Sequence, residues 1–240
     1  MSEPTSRDRL IVALDVPTPA EARALVDTLG DTVTFYKIGL ELLFTGGLDI
    51  ATELKRRGKR VFLDMKLLDI ANTVERAAAQ VAALNLDFLT IHGTDTKTMT
   101  AAVKGRGAAN LQILAVTVLT NLDSGDLAEQ HIATSPADLV LHRARLAKAA
   151  GCSGVIASGQ EAGRLRAALG HGFLIVTPGI RLPSDGTDDQ ARITTPDAAI
   201  AAGADHIVVG RPVTRAADPR RAAAQFVALI QDAERQRADR

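Results

Sequence analysis

Short apolar runs rich in β-branched residues recur along the chain at 10–14, 34–38, 60–63, 88–91, 111–118, 154–157, 173–177 and 206–209. Each has the length of a strand and falls short of an average helix. They lack strict apolar–polar alternation, which is how strands covered on both faces read. Between them, segments rich in Ala, Leu and Arg carry apolar residues at helical spacing, as over 20–29, 71–84, 136–149 and 220–235. Strand starts come about 28 residues apart, room for a strand, a helix and two short loops. Eight such repeats predict an α/β chain closed into a (β/α)8 TIM barrel. A doubly wound open sheet shares the pattern, and what the strand ends carry separates the two. No Gly/Ser/Pro-rich linker or shift in composition divides residues 1–240, so the reading is a single domain. Residues 236–240 are expected to fray.

Composition narrows the class of partner. Hydrophobic residues make up 46% and charged ones 23%, a globular balance that excludes disorder or coiled coil as a description of the whole. Lys plus Arg is 28 and Asp plus Glu is 28, so no bulk field attracts nucleic acid or anionic lipid, although a local anion site remains open. The one cysteine, Cys152, cannot form an intrachain disulfide, and residues 1–7 lack the apolar core of a secretion signal. A cytoplasmic location is expected. The longest apolar stretches, such as 113–119, are far below the ~20 residues of a membrane helix.

In a barrel the reactive groups sit at the C-terminal ends of the strands. Here those ends carry Asp15, Lys37, Asp64 with Lys66, His92, Thr117 with Thr120, Gly179-Ile180-Arg181 and Gly210-Arg211-Pro212. Asp64 and Lys66, two apart in a strand, share one face and are expected in contact at the mouth. Lys37 on the neighbouring strand reaches Asp64, and Asp69 follows in the loop, giving an array of two ammonium and two carboxylate groups. A desolvated array of that kind perturbs its members' pKa values, as acid–base chemistry requires. A surface salt-bridge cluster is the ordinary reading of an Asp-x-Lys pair, but successive strand ends flanked by apolar residues argue against it.

The two Gly-containing turns after strands seven and eight sit where barrels hold a phosphate with backbone N–H groups and a cation. Arg181 and Arg211 supply a bidentate fork for it. Asp15 reads equally as a helix N-cap or as a ligand to a substrate hydroxyl. His92, without spaced Cys or carboxylate companions, reads as a structural hydrogen bonder and not a metal ligand. Cys152 lies at a strand entrance and reads as packing filler. The stretch 105–110 imitates a dinucleotide fingerprint but precedes a strand and so is rejected. No Walker loop, Gly-x-Ser-x-Gly elbow or His-Glu-x-x-His occurs.

Ala13-Leu14-Asp15, Phe35-Tyr36-Lys37-Ile38-Gly39, Asp64-Met65-Lys66-Leu67-Leu68-Asp69-Ile70, Val116-Thr117-Val118-Leu119-Thr120, Thr177-Pro178-Gly179-Ile180-Arg181, Asp189-Gln190 and Val208-Val209-Gly210-Arg211-Pro212 together resemble the orotidine 5′-monophosphate decarboxylase family nearly end to end. The resemblance implies a (β/α)8 homodimer with active sites at the subunit interface, acting on orotidine 5′-monophosphate without metal or cofactor and releasing UMP and CO2. It implies that Lys66 protonates C6 and that Asp64 and Asp69 flank the scissile carboxylate, with Asp69 and Thr73 reaching in from the other subunit. Lys37 and Asp15 would hold ribose, Thr120 the base and ribose region, and Arg181, Gln190, Gly210 and Arg211 the phosphate.

Two departures stand out. Ala71 occupies a place where the family usually has proline, and His92-Gly93-Thr94-Asp95 lacks the usual paired glycines. A rival is the related hexulose-phosphate synthase or ketogulonate-phosphate decarboxylase type, which shares Asp-x-Lys-x-x-Asp but uses magnesium. Lys37 stands where those enzymes resemble this chain least. A catalytically dead phosphate-binding barrel is the third reading, and the intact Lys37, Asp64, Lys66 and Asp69 speak against it.

Overall fold

The computed structural model describes residues 5–182 and 194–238. Eight parallel strands close in sequence order into a barrel: β1 Leu10–Ala13, β2 Phe35–Ile38, β3 Arg60–Leu67, β4 Phe88–His92, β5 Gln112–Val116, β6 Gly154–Ile156, β7 Leu174–Thr177 and β8 His206–Val209. Closure is made by β1 pairing with β8, Leu10 opposite Ile207. The open sheet is thereby excluded.

Around the strands run α1 Ser6–Arg9, α2 Pro19–Leu29, α3 Leu40–Leu43, α4 Gly47–Arg56, α5 Ala71–Ala83, α6 Thr96–Arg106, α7 Ser124–Glu129, α8 Pro136–Ala149, α9 Gly159–Leu169, α10 Pro196–Ala202, α11 Arg211–Thr214 and α12 Pro219–Ala238. Their starts are chemically marked. Thr18, Asp95, Ser135 and Ser158 each accept a hydrogen bond from a first-turn N–H, satisfying donors that the helix itself leaves unpaired. Asp95, one of the residues that departs from the family pattern, thus serves to start α6. Residues 236–238, expected to fray, continue α12. No described helix is long and apolar enough to cross a membrane.

The missing polar–apolar alternation has a structural counterpart, because both faces of each strand are buried in two separate cores. Ile11, Phe35, Phe62, Phe88, Leu114, Ile156, Val176 and Val208 fill the inside of the barrel. Their neighbours Val12, Tyr36, Val61, Leu89, Ile113, Val155, Ile175 and Ile207 pack outward against the helices. Inward parity therefore continues from Phe35 to Lys37, from Phe62 to Asp64 and from Phe88 to Thr90 and His92. Apolar filling gives way to charge within one inward step toward the mouth.

Candidate active site

Four charged groups line up across the mouth. Lys37 Nζ donates to Asp15 Oδ1 at 2.9 Å and lies 3.5 Å from Asp64 Oδ2. Lys66 Nζ donates to that same Asp64 Oδ2 at 2.9 Å. The order is Asp15, Lys37, Asp64, Lys66, with the sign alternating at each step. Burial by itself would pull the Lys37 ammonium toward its neutral form, but Asp64 and Asp15 outweigh it and hold Lys37 above the usual lysine value. Burial likewise opposes the Asp64 carboxylate, and Lys37, Lys66 and the hydroxyl of Thr90 together keep it below the usual range.

This array differs from the expected one in its fourth member, which is Asp15 and not Asp69. Beyond Leu67 the chain leaves the barrel, and Leu68, Asp69 and Ile70 are exposed. Asp69 Oδ1 accepts from the adjacent Ile70 N–H at 2.6 Å, and neither Asp69 nor Thr73 lines a cavity at the mouth. The helix-cap reading of Asp15 also falls, since Thr18 caps α2.

Local backbone explains how β3 delivers two charges to one place. Leu63 pairs with Leu89 and Leu67 with Ile91, so three residues of β3 oppose the single residue Thr90. Lys66 within this bulge has φ +49°, a left-handed conformation whose strain is of order 1–3 kcal/mol for a residue with a side chain. Simple strand parity predicts the contact between Asp64 and Lys66, but a bulge and not a regular strand makes it. Thr90 Oγ1 accepts from the Lys66 N–H at 3.0 Å and donates to Asp64 Oδ1 at 2.7 Å. Gly39 is needed beside the array. A Cβ there would sit 2.8 Å from Asp15 Oδ1 and 3.0 Å from Lys37 Nζ, inside their ion pair.

Two cavities meet at the array, sharing Asp15, Lys37, Pro178 and Val208. One, of about 370 Å³, is walled by Gly179, Arg181, Gly210, Arg211, Thr214 and Arg215, with Glu41 among them. The other, of about 280 Å³, is lined by Phe62, Val116, Val118, Ile156, Thr120 and Asn121 beside Asp64 and Lys66. Gly179 has φ +73°, a turn that glycine adopts without strain. The first cavity suits an anion and the second a flat, mostly apolar group with polar edges. Arg181, Gly210, Arg211 and Thr120 are thus brought to the mouth with the charged array. Gln190 lies outside the described residues.

Other expectations are revised. Thr117 is turned away from the cavity, its hydroxyl donating to the Ile156 carbonyl at 2.9 Å. His92 makes no side-chain hydrogen bond among the described residues, and burial together with the nearby Lys66 and Arg143 cations keeps it neutral-leaning. Cys152 is buried, its thiol pushed up to about 12, which suits filler. Among the described residues no three His, Cys, Asp or Glu side chains gather as a metal site. Glu41, Thr90, Asn121, Thr214 and Arg215 escaped the sequence reading. For Thr90 the signal was there, a lone hydroxyl at inward parity between Phe88 and His92.

Matches to known proteins place the chain in a family. Residues 8–226 match the family described as Orotidine 5′-phosphate decarboxylase / HUMPS. The chain is similar to orotidine 5′-phosphate decarboxylase of Rhodopseudomonas palustris (strain HaA2), 51% identical over 97% of this chain and 98% of that one. It is also 52% identical to the protein of that name from Afipia carboxidovorans, over 93% and 95% of the two chains. Among solved structures, orotidine 5′-phosphate decarboxylase from Lactobacillus acidophilus superposes with a TM-score of 0.81 at 36% identity, covering 92% of this chain and 98% of that one. A match over most of the chain at this level settles descent, and the chain belongs to the orotidine 5′-phosphate decarboxylase / HUMPS family.

Proposed function

We propose that this protein is a decarboxylase that converts orotidine 5′-monophosphate to UMP and CO2 in pyrimidine synthesis, using its own side chains and no cofactor. The observation that carries the reading is the alternating array set at the junction of an arginine-walled cavity and an apolar one. The phosphate sits with Arg181, Arg211 and the Gly179 and Gly210 turns, and the pyrimidine lies against Phe62, Val116, Ile156 and Thr120. Ribose hydroxyls meet Asp15 and Lys37 between them.

The substrate carboxylate enters beside Asp64. The bond from C6 to the carboxyl carbon breaks, CO2 departs, and the electron pair left on C6 takes a proton from the Lys66 ammonium. An ammonium already held by Asp64 needs little reorganisation to meet that charge, and exclusion of water strengthens the attraction. Phosphate binding, remote from the broken bond, supplies the free energy that orders the site. The magnesium-dependent alternative is less favoured, because the Lys37 ammonium sits between Asp15 and Asp64 where a cation would be needed.

The same reading makes the enzyme a homodimer. Phe44 is 83% exposed and Ile70 73%, and with Leu40, Leu48 and Leu68 they follow the C-terminal ends of the neighbouring strands β2 and β3. Apolar exposure on that scale marks an interface. A second copy docked there brings its Asp69 and Thr73, unused in their own chain, toward this array.

The test is the fall in ultraviolet absorbance of orotidine 5′-monophosphate on adding purified, EDTA-treated protein, with Lys66→Ala as control. Turnover in the wild type, reduced at least about 10³-fold in Lys66→Ala while UMP still binds, is expected. No turnover, or substantial turnover in the variant, overturns the reading or the proton donor respectively.

A further inference from the structure

We propose that Thr90 is a positioning residue for this reaction, its hydroxyl locking the proton donor's backbone and the Asp64 carboxylate into one unit before substrate arrives. The inference rests on the decarboxylase reading for its substrate and on the β3 bulge for its geometry.

Thr90 is fully buried and stands alone opposite residues 64–66, where the ladder between β3 and β4 is interrupted. Lys66 N–H therefore has no ladder carbonyl opposite it and donates to Thr90 Oγ1 instead, at 3.0 Å. That assignment fixes the hydroxyl proton. A threonine oxygen has one hydrogen, and with an amide proton arriving at the oxygen its own hydrogen points to Asp64 Oδ1, 2.7 Å away. The other carboxylate oxygen, Oδ2, receives Lys66 Nζ at 2.9 Å and faces Lys37 Nζ at 3.5 Å.

A ring results: Lys66 backbone to Thr90, Thr90 to Asp64, Asp64 to the Lys66 ammonium. Two consequences follow from it. The left-handed backbone at Lys66 is held by a side-chain acceptor where a regular strand would supply a carbonyl. The Asp64 carboxylate has one oxygen occupied by Thr90, so both lysines meet the other, which leaves the carboxylate little freedom to turn. Thr90 itself is absent from the lining of either cavity, so it acts through its two partners and not on the substrate.

The experiment compares Thr90→Val, which keeps the shape and deletes the hydroxyl, with Thr90→Ser, which keeps the hydroxyl and deletes the methyl. Steady-state decarboxylation and UMP binding are measured for both beside the wild type. We expect Thr90→Val to lose about 10- to 100-fold in kcat, the usual effect of removing a group that orients a reacting side chain, with KM and UMP affinity within about threefold. Thr90→Ser is expected to retain kcat within about threefold.

Wild-type kcat in Thr90→Val, or a loss in Thr90→Ser equal to that in Thr90→Val, would overturn the proposal, the second result assigning the effect to methyl packing. If Thr90→Val does not fold, the comparison passes to Thr90→Ser and Thr90→Ala, and equal kcat in those two has the same overturning force. A wild-type protein that binds UMP without decarboxylating orotidine 5′-monophosphate would instead refute the function. In that case Lys66 amide exchange still tests the clamp, faster exchange in the hydroxyl-less variant being expected and an unchanged rate overturning it.

Discussion

The two ends of the barrel interior solve the same problem in opposite ways. At the mouth, Lys37 and Asp64 are buried as ions, each between groups of opposite sign. At the floor, Arg60, two inward steps below Asp64 on β3, and His206, at the start of β8, are packed against rings. The Arg60 guanidinium lies 4.1 Å from the Phe35 ring centroid and 5.4 Å from that of Phe88, with Asp87 at 3.6 Å. Phe35 and Phe88 meet edge to face at 4.9 Å, and the His206 ring stands 5.3 Å from Phe88. Since a carbonyl only accepts, His206 Nδ1–H donates to the Asp8 carbonyl at 2.9 Å. Burial, helped by the Arg60 charge, drops its pKa to about 3 and leaves it neutral. The floor removes the charge of His206 and lays rings over the Arg60–Asp87 pair, whereas the mouth preserves charge by pairing alone. The charges that line the cavities are at the mouth and the aromatic packing is at the floor, the division expected of a barrel.

Breaking the floor should leave the mouth intact. Phe35→Ala is expected to lower the unfolding free energy by about 3–5 kcal/mol, as large aromatic truncations in cores do, while the folded fraction binds UMP normally. Chemical denaturation and calorimetric titration check both halves, and a parallel fall in UMP affinity would mean that the ends are coupled. The reciprocal experiment is Arg211→Ala, which should weaken UMP binding by about 10- to 100-fold, the range for a lost charged hydrogen bond. Denaturation of the unliganded variant should be nearly unchanged, and unaltered UMP affinity would remove Arg211 from the site.

A third experiment sharpens the contrast at one residue. A histidine in the unfolded chain titrates near pH 6.5, and folded His206 near 3. Between those values the unfolded state takes up a proton that the folded state refuses. The contribution is therefore complete above about pH 6.5 and is lost as pH falls toward 3, at no more than about 1.4 kcal/mol per pH unit. His206→Gln should flatten the acid limb of the stability profile by that amount. An unchanged slope would show that His206 is not the group that titrates.

The barrel was legible because strands buried on both faces and helices apolar on one face leave different periods in the sequence. The closure of β1 on β8 was legible less directly, since the same runs fit an open sheet and only the residues at the strand ends favoured the barrel that the pairing shows. Lys37, Asp64, Lys66, Arg181 and Arg211 were legible as charges at successive strand ends. The roles of Thr90 and Gly39 were harder to read for a common physical reason, even though the lone hydroxyl of Thr90 stands out at inward parity. One polar atom in an apolar run and one absent side chain beside a lysine acquire meaning only when a neighbouring strand is placed against them. Asp69 was read correctly as a loop residue beyond β3, but spacing along one chain does not say which way such a loop points, and within the chain it lies apart from the array.

The bulge opposite Thr90 also bears on how this protein is able to vary. Three residues of β3 face one of β4 there, so a deletion among 64–66 would remove the extra length that sets Asp64 and Lys66 together. A substitution at the partly buried Met65 perturbs only packing, whereas a change of length there moves Lys66 relative to Asp64 and Thr90. In this segment the geometry depends on a count, two residues from carboxylate to ammonium, more than on the identity of the residue between them.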